Sequence, residues 1–134
     1  MTLVSIITPS YNQAAYLEQT ILSVLNQDHP RIEYIVVDGA STDGSVEIIK
    51  KYESKLAYWV SEKDRGQADA INKGFARATG EIIAWLNSDD YYLPGAVNAA
   101  VKVFEERSDV VLVYGNMLAV DEHGKTFNTL NYKP

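Results

Sequence analysis

Asn87, Asp89 and Asp90 place three oxygen-bearing side chains within four residues, directly after the apolar run EIIAWL. Adjacent carboxylates repel each other, and neither is buried cheaply. Either a cation compensates them or water does. Hard divalent cations such as Mg²⁺ and Mn²⁺ take oxygen ligands, often one or two carboxylates completed by phosphate oxygens and water. A solvated turn ahead of a helix starting near Pro94 is the competing reading. Three other polar stretches follow apolar runs in the same way: TPSYN, DGASTDGS and SEKDRGQADA. Tyr11 has a ring suited to stacking on a base, and Asn12 is a candidate helix cap. Asp38, at the end of its run, can accept a hydrogen bond from a base imide or a ribose hydroxyl, or can simply close a turn with Ser41, Thr42 and Asp43. In the third stretch Asp69 and Lys73 are spaced i,i+4 as a surface ion pair would be, and Gly66 allows a positive φ or a close approach to a ligand.

The segments between these stretches are the elements that must position them. LVSIIT, IEYIVVD, LAYWVSE, EIIAWL and VVLVYG read as strands, each a run of β-branched and aromatic residues. Between them, apolar residues recur at helical spacing: Leu17, Ile21 and Val24; Val46 and Ile49, with Asp43 as N-cap; Ala68, Ile71, Phe75 and Ala78, closed by Gly80; Val97, Val101 and Phe104. MLAVDEHGKTFNTL predicts a hairpin around Gly124, and the closing NYKP reads as a chain running on. Four strand-helix alternations with short connections predict a doubly wound, mostly parallel α/β sheet with helices on both faces. Residues 1–134 are read as one domain. Ligands of such sheets bind beyond the carboxyl ends of the strands, where all four polar stretches fall.

Bulk properties exclude several classes. Length and a 46% hydrophobic content suffice for one packed core. A net charge of −6 argues against nucleic-acid binding. The absence of cysteine removes disulfides and thiolate metal sites, and fits a cytoplasmic protein. No apolar run approaches a membrane span, and the start lacks the basic region of a signal peptide. There is neither a G-x-G-x-x-G after the first strand nor a P-loop, so a bound phosphate would have to be met by metal. No serine lies in a G-x-S-x-G elbow. His29 and His123 are too far apart for a metal motif and are expected in solvated loops.

In order and spacing, VSIITPSYNQAAYLEQTILSVLNQ, EYIVVDGASTDGSVEIIKKY, WVSEKDRGQADAINKGFARATGEIIAWLNSDD and YYLPGAV resemble the inverting glycosyltransferase family 2, of the GT-A fold, over about residues 3–120. The resemblance implies a nucleotide-diphosphate sugar as donor, a saccharide or lipid-linked acceptor, a divalent Mn or Mg ion and a role in polysaccharide synthesis. It implies a cytoplasmic site of action, including peripheral attachment at the inner membrane face, and is compatible with an oligomer. It assigns Pro9, Ser10 and Tyr11 to the nucleotide, Asp38 to the base, and Asp64 and Asp69 to the nucleotide and donor-sugar wall. The family's D-x-D motif falls on Asn87, Ser88 and Asp89. Asn87 then inherits a ribose contact, and Asp89, with Asp90 as a second candidate, the metal. Many members carry a second acid where this chain has Gly39. The general base is expected beyond Pro134, in an acceptor-binding half. Two other functions remain open: a nucleotidyltransferase, and a non-catalytic nucleotide-binding or assembly module.

Overall fold

The computed structural model describes residues 1–131; the NYKP terminus, except Asn131, lies outside them. The chain divides into two units, residues 1–98 and 99–134. In the first, β1 (Val4–Ser10), β2 (Ile32–Asp38), β3 (Tyr58–Ser61) and β4 (Ile82–Trp85) form one parallel sheet in the order β3-β2-β1-β4. The helices α1 (Ala14–Leu25), α2 (Ser45–Tyr52) and α3 (Gln67–Phe75) connect them.

Strand order fixes where the helices lie. The β1-α1-β2 and β2-α2-β3 crossovers step in one direction, whereas β3-α3-β4 steps back past β1. With right-handed crossovers, α1 and α2 share one face of the sheet and α3 takes the other. Under α3, Ile7, Ile35, Val37 and Ala70 form a buried cluster, flanked by Tyr58, Val60, Phe75 and Ala78. By strand alternation Ile6, Thr8, Tyr34 and Val36 face the other way. There the Thr8 and Tyr34 hydroxyls share a 2.8 Å hydrogen bond, and burial pushes the Tyr34 phenol well above its ordinary pKa. The central strand β1 is buried throughout, as a strand covered on both faces must be.

At the amino ends of the strands, Glu33 accepts from the Ser5 hydroxyl and, at 2.8 Å each, from the Thr79 N–H and hydroxyl. Burial opposes its charge, but these bonds together outweigh it and hold the carboxyl below its usual pKa. Gly80, expected to close α3, has a different role. The helix ends at Phe75, and a Cβ at Gly80 would lie 2.7 Å from the Ser5 backbone nitrogen, so glycine permits the close approach to β1.

Helix entry also departs from expectation. Gly44, not Asp43, occupies the cap of α2 with φ 100°. Asp43 sits one residue earlier, accepts from the Ser45 N–H and hydroxyl, and reaches across to the Ala14 N–H of α1 at 2.9 Å. One carboxylate thus satisfies free amides at two helix starts, and these bonds, the Ser45 hydroxyl foremost, lower its pKa. Asn12 caps neither helix: at φ 49° its side chain accepts from the Thr42 N–H. His29 is not solvated. It is 6% exposed, with its ring nitrogens 2.9 Å from Asn98 Oδ1 and 2.8 Å from the Thr2 carbonyl.

The helix α4 runs from Ala96 to Glu106. In the second unit the hairpin forms as expected from β5 (Met117–Val120) and β6 (Thr126–Leu130), with Gly124 at φ 81° in the turn. His123 is exposed there. VVLVYG, expected as a strand, forms none, and Val111 is 93% exposed. Its composition suits a pleated, half-buried surface, but a strand needs a neighbour for its backbone groups, and none pairs with it among the described residues.

Candidate functional site

In the order β3-β2-β1-β4 the chain reverses direction across the sheet between β1 and β4, and the crevice beyond their carboxyl ends is where such sheets take ligands. A cavity of about 600 Å³ opens there, lined by Pro9, Ser10 and Tyr11 after β1, Gly39 after β2, Lys63, Asp64, Gly66 and Gln67 at the start of α3, and Asn87, Ser88 and Asp89 after β4. Six of the nine residues assigned from sequence therefore share one cavity: Pro9, Ser10, Tyr11, Asp64, Asn87 and Asp89.

Tyr11 projects its ring into solvent, 63% exposed, as a stacking side chain without its partner would. Ser10 is the reverse case. It is 3% exposed, and its hydroxyl is the one buried side-chain polar atom without a hydrogen-bond partner among the described residues. Leaving such a group unpaired costs about 1–3 kcal/mol.

Asn87 to Asp90 form a turn closed by the Asp90 N–H on the Asn87 carbonyl at 3.1 Å. Asn87 stands between two side chains: Gln67 donates to its Oδ1 at 2.5 Å, and its own amide donates to Asp90 Oδ2 at 3.4 Å. One amide hydrogen and one lone pair remain for a ligand. Burial and then the neighbouring Asp89 charge push the Asp90 carboxyl above its ordinary pKa. Asp90 is not among the lining residues; its carbonyl accepts from Thr20 of α1 at 2.6 Å, which ties the turn to the scaffold.

Asp38 and Asp69 stand apart from the cavity lining. Asp38 is fully buried and accepts from the Ser41 N–H at 2.8 Å, the Ser41 hydroxyl at 2.6 Å and the Ser61 hydroxyl at 2.7 Å. It ties the β2 and β3 ends to the loop carrying Ala40 at φ 63°. Asp69 accepts from the Arg65 N–H at 3.1 Å and pairs with Arg65 and Lys73. The Arg65 N–H bond, then these cations, lower its pKa. It lines a separate open hollow with Lys63, Asp64, Arg65 and Lys73. Sequence reasoning missed Gln13, Lys63 and Gln67 in the cavity lining. Gln67 follows Gly66 at the first helical position, a place where a side chain at a strand tail can turn inward, and that was the available signal.

Residues 5–129 match the family described as Glycosyl transferase family 2. The chain belongs to this family. An uncharacterized glycosyltransferase of Nostoc sp. is 38% identical over 128 residues, covering 93% of the chain and 39% of the relative. TuaG of Bacillus subtilis, a glycosyltransferase provisionally named for teichuronic acid biosynthesis, is 42% identical over 109 residues, 79% of the chain and 43% of TuaG. Among solved structures, S. aureus TarS 1–349 in complex with UDP-GlcNAc superposes with a TM-score of 0.72 at 30% identity, over 78% of the chain and 31% of TarS. The mannosyltransferase PcManGT from Pyrobaculum calidifontis, in complex with GDP-Man and Mn²⁺, gives 0.69 at 35%, over 75% and 32%. The chain thus spans less than half the length of each of these relatives. The family 2 sheet is that of the GT-A glycosyltransferases, as its sequence implied. No described helix is long and apolar enough to cross a membrane.

Proposed function

We propose that residues 1–134 bind a nucleotide-diphosphate sugar for transfer to an acceptor hydroxyl, a saccharide or a lipid-linked one, with inversion at the anomeric carbon. One observation carries the reading: the cavity at the strand-order reversal brings Tyr11 and Asn87 together with the Asp89 carboxylate, whose neighbour Asp90 lies outside the lining. Membership of a transferase family supports it, as do relatives that hold UDP-GlcNAc and GDP-Man.

The residues have separable tasks. Pro9 and Tyr11 offer apolar and aromatic surface to the nucleoside, and Asn87 offers its spare amide hydrogen to a ribose hydroxyl. Asp38 and Asp69 act one step back, holding the loop after β2 and the start of α3. Asp89 and then Asp90 would hold a divalent cation. Their mutual repulsion favours one, and the described residues supply no cluster of three or more acidic, histidine or cysteine ligands, so waters and phosphate oxygens would complete the shell, as suits Mg²⁺ or Mn²⁺. A cation there supplies charge neutralisation for a leaving diphosphate. The acceptor oxygen forms its bond to the anomeric carbon from the face opposite the diphosphate, the bond to the diphosphate breaks, and a general base takes the acceptor proton. We place that base outside the cavity-lining residues named above, in an acceptor-binding part of the enzyme. Action at the cytoplasmic face, on soluble or membrane-held acceptors, belongs to the same proposal.

Thermal melting of the chain with nucleoside mono-, di- and triphosphates, with and without Mn²⁺, tests the reading. A rise that is largest for diphosphates and needs the metal is expected. A triphosphate preference would favour nucleotidyl transfer, and no response to any nucleotide would favour a non-catalytic module.

A further inference from the structure

The segment from Asp90 to Gly95, which joins the Asn87–Asp90 turn to α4, is neither helix nor strand. Its backbone groups are met by side chains of α1 and of the residues just past its end. Thr20, Ser23 and Gln27 are spaced i, i+3 and i+7, as on one helical face. The Thr20 hydroxyl donates to the Asp90 carbonyl at 2.6 Å. Ser23 Oγ accepts from the Tyr92 N–H at 3.1 Å. The Gln27 amide donates to the Leu93 carbonyl at 3.0 Å, and its oxygen accepts from the Val97 N–H, one of the free amides at the start of α4, at 3.1 Å. The three side chains are also linked to one another: the Ser23 hydroxyl donates to the Thr20 carbonyl at 2.7 Å, and the Gln27 amide to the Ser23 carbonyl at 3.1 Å. None of the three lines the cavity.

We propose that Thr20 is a positioning residue for the Asp89 turn, with Ser23 and Gln27 extending the same support toward α4; this rests on the reading of Asp89 as the ligand of a divalent cation beside a diphosphate. The residue after Asp89 is held through both of its backbone groups. The Asp90 N–H donates to the Asn87 carbonyl at 3.1 Å, and the Asp90 carbonyl accepts from Thr20. Thr20 is 1% exposed, so water does not compete for its hydroxyl. Without a cation, the adjacent Asp89 and Asp90 carboxylates repel each other, and a loose turn would relax by swinging them apart. A cation binding such a turn would have to order it again, and that cost comes off its affinity. Main chain pinned beside Asp89 keeps the carboxylate at the cavity before the cation arrives. Ser23 and Gln27 hold positions farther along the chain from Asp89, so their influence on it is smaller.

Calorimetric titration of the 134-residue chain with whichever of UDP, CDP, GDP and ADP it binds most tightly, with and without Mn²⁺, tests the assignment. The readout is the gain in affinity that Mn²⁺ brings. Thr20→Val keeps the volume and removes the hydroxyl; it should cut that gain by about tenfold, the scale of one hydrogen bond, and leave the metal-free affinity unchanged. Thr20→Ser keeps the donor and should stay within about threefold of wild type. Ser23→Ala removes the anchor at Tyr92 and carries the test independently of how Thr20→Val folds: it should lose about threefold of the same gain. A full Mn²⁺ gain in Thr20→Val and Ser23→Ala, or a Thr20→Ser protein as poor as Thr20→Val, would overturn the positioning role while the metal assignment stands. An equal loss with and without Mn²⁺ would do the same, since it would mark general loosening of the cavity. A wild-type chain that binds no diphosphate, or gains nothing from Mn²⁺, would overturn both.

Discussion

Replacing Asp38 separates two roles that its position at a strand end leaves open. As a ligand residue it would cost affinity and little stability. The structure makes it a strut: fully buried, its carboxylate accepts three hydrogen bonds, two from Ser41 and one from Ser61, at 2.6–2.8 Å. Asp38→Ala leaves three donors without their acceptor. At about 1–2 kcal/mol for each, the lower part of the range for an orphaned buried group, the loss is about 3–6 kcal/mol. That is a large share of the roughly 5–15 kcal/mol that holds a domain together. Asp38→Asn keeps one oxygen as acceptor and should lose about half as much. Urea unfolding followed by circular dichroism reads the effect directly. With slopes of about 1–3 kcal/mol/M, the Asp38→Ala midpoint should fall by on the order of 2 M at unchanged slope. An Asp38→Ala protein within about 1 kcal/mol of wild type, yet unable to bind nucleotide, would refute the strut and return Asp38 to the ligand.

Other substitutions probe the scaffold and the turn. Gly74→Ala should destabilise by about 1–3 kcal/mol although alanine favours helix, because the added Cβ would lie 2.4 Å from Ile7 Cγ2 in the closed core under α3; a more stable variant in the same melt would contradict this packing. Glu33, whose carboxyl is held below its ordinary pKa, contributes stability that is present above the unfolded-state value and lost as pH falls through the folded one; melting temperatures from pH 6 to pH 3 should therefore fall less steeply in Glu33→Gln than in wild type. Gln67→Ala removes the donor that orients Asn87, and should weaken nucleotide binding less than Asn87→Ala does; a larger loss would make Gln67 itself the ligand contact.

What the sequence made legible follows from what is local. The β-branched runs of β1 and β2, the amphipathic spacing of α1 and α3, and the Gly124 hairpin are set by periodicity and turn chemistry, and they form where expected. The cavity was legible because a doubly wound sheet places its strand ends side by side, so the polar tails had to converge. What failed depended on partners distant in sequence. VVLVYG has a strand's composition, but pairing comes from a neighbour that no local rule supplies. His29 looked like a loop residue because Thr2 and Asn98, which enclose its ring, lie 27 and 69 residues away. Asp38 was placed correctly at its strand end, yet only the fold shows its oxygens turned to Ser41 and Ser61 instead of the cavity.

The account stands most directly on Asp89. Calorimetric titration of the wild-type chain and of Asp89→Ala with UDP, in the presence and absence of Mn²⁺, tests it. Wild type should bind with an affinity that rises on adding Mn²⁺. Asp89→Ala, at the rim of the cavity and relieved of repulsion with Asp90, should melt within a few degrees of wild type and lose the metal-dependent part of the binding. Undiminished, Mn²⁺-dependent affinity in the Asp89→Ala protein would contradict the assignment of this turn to a metal-diphosphate site.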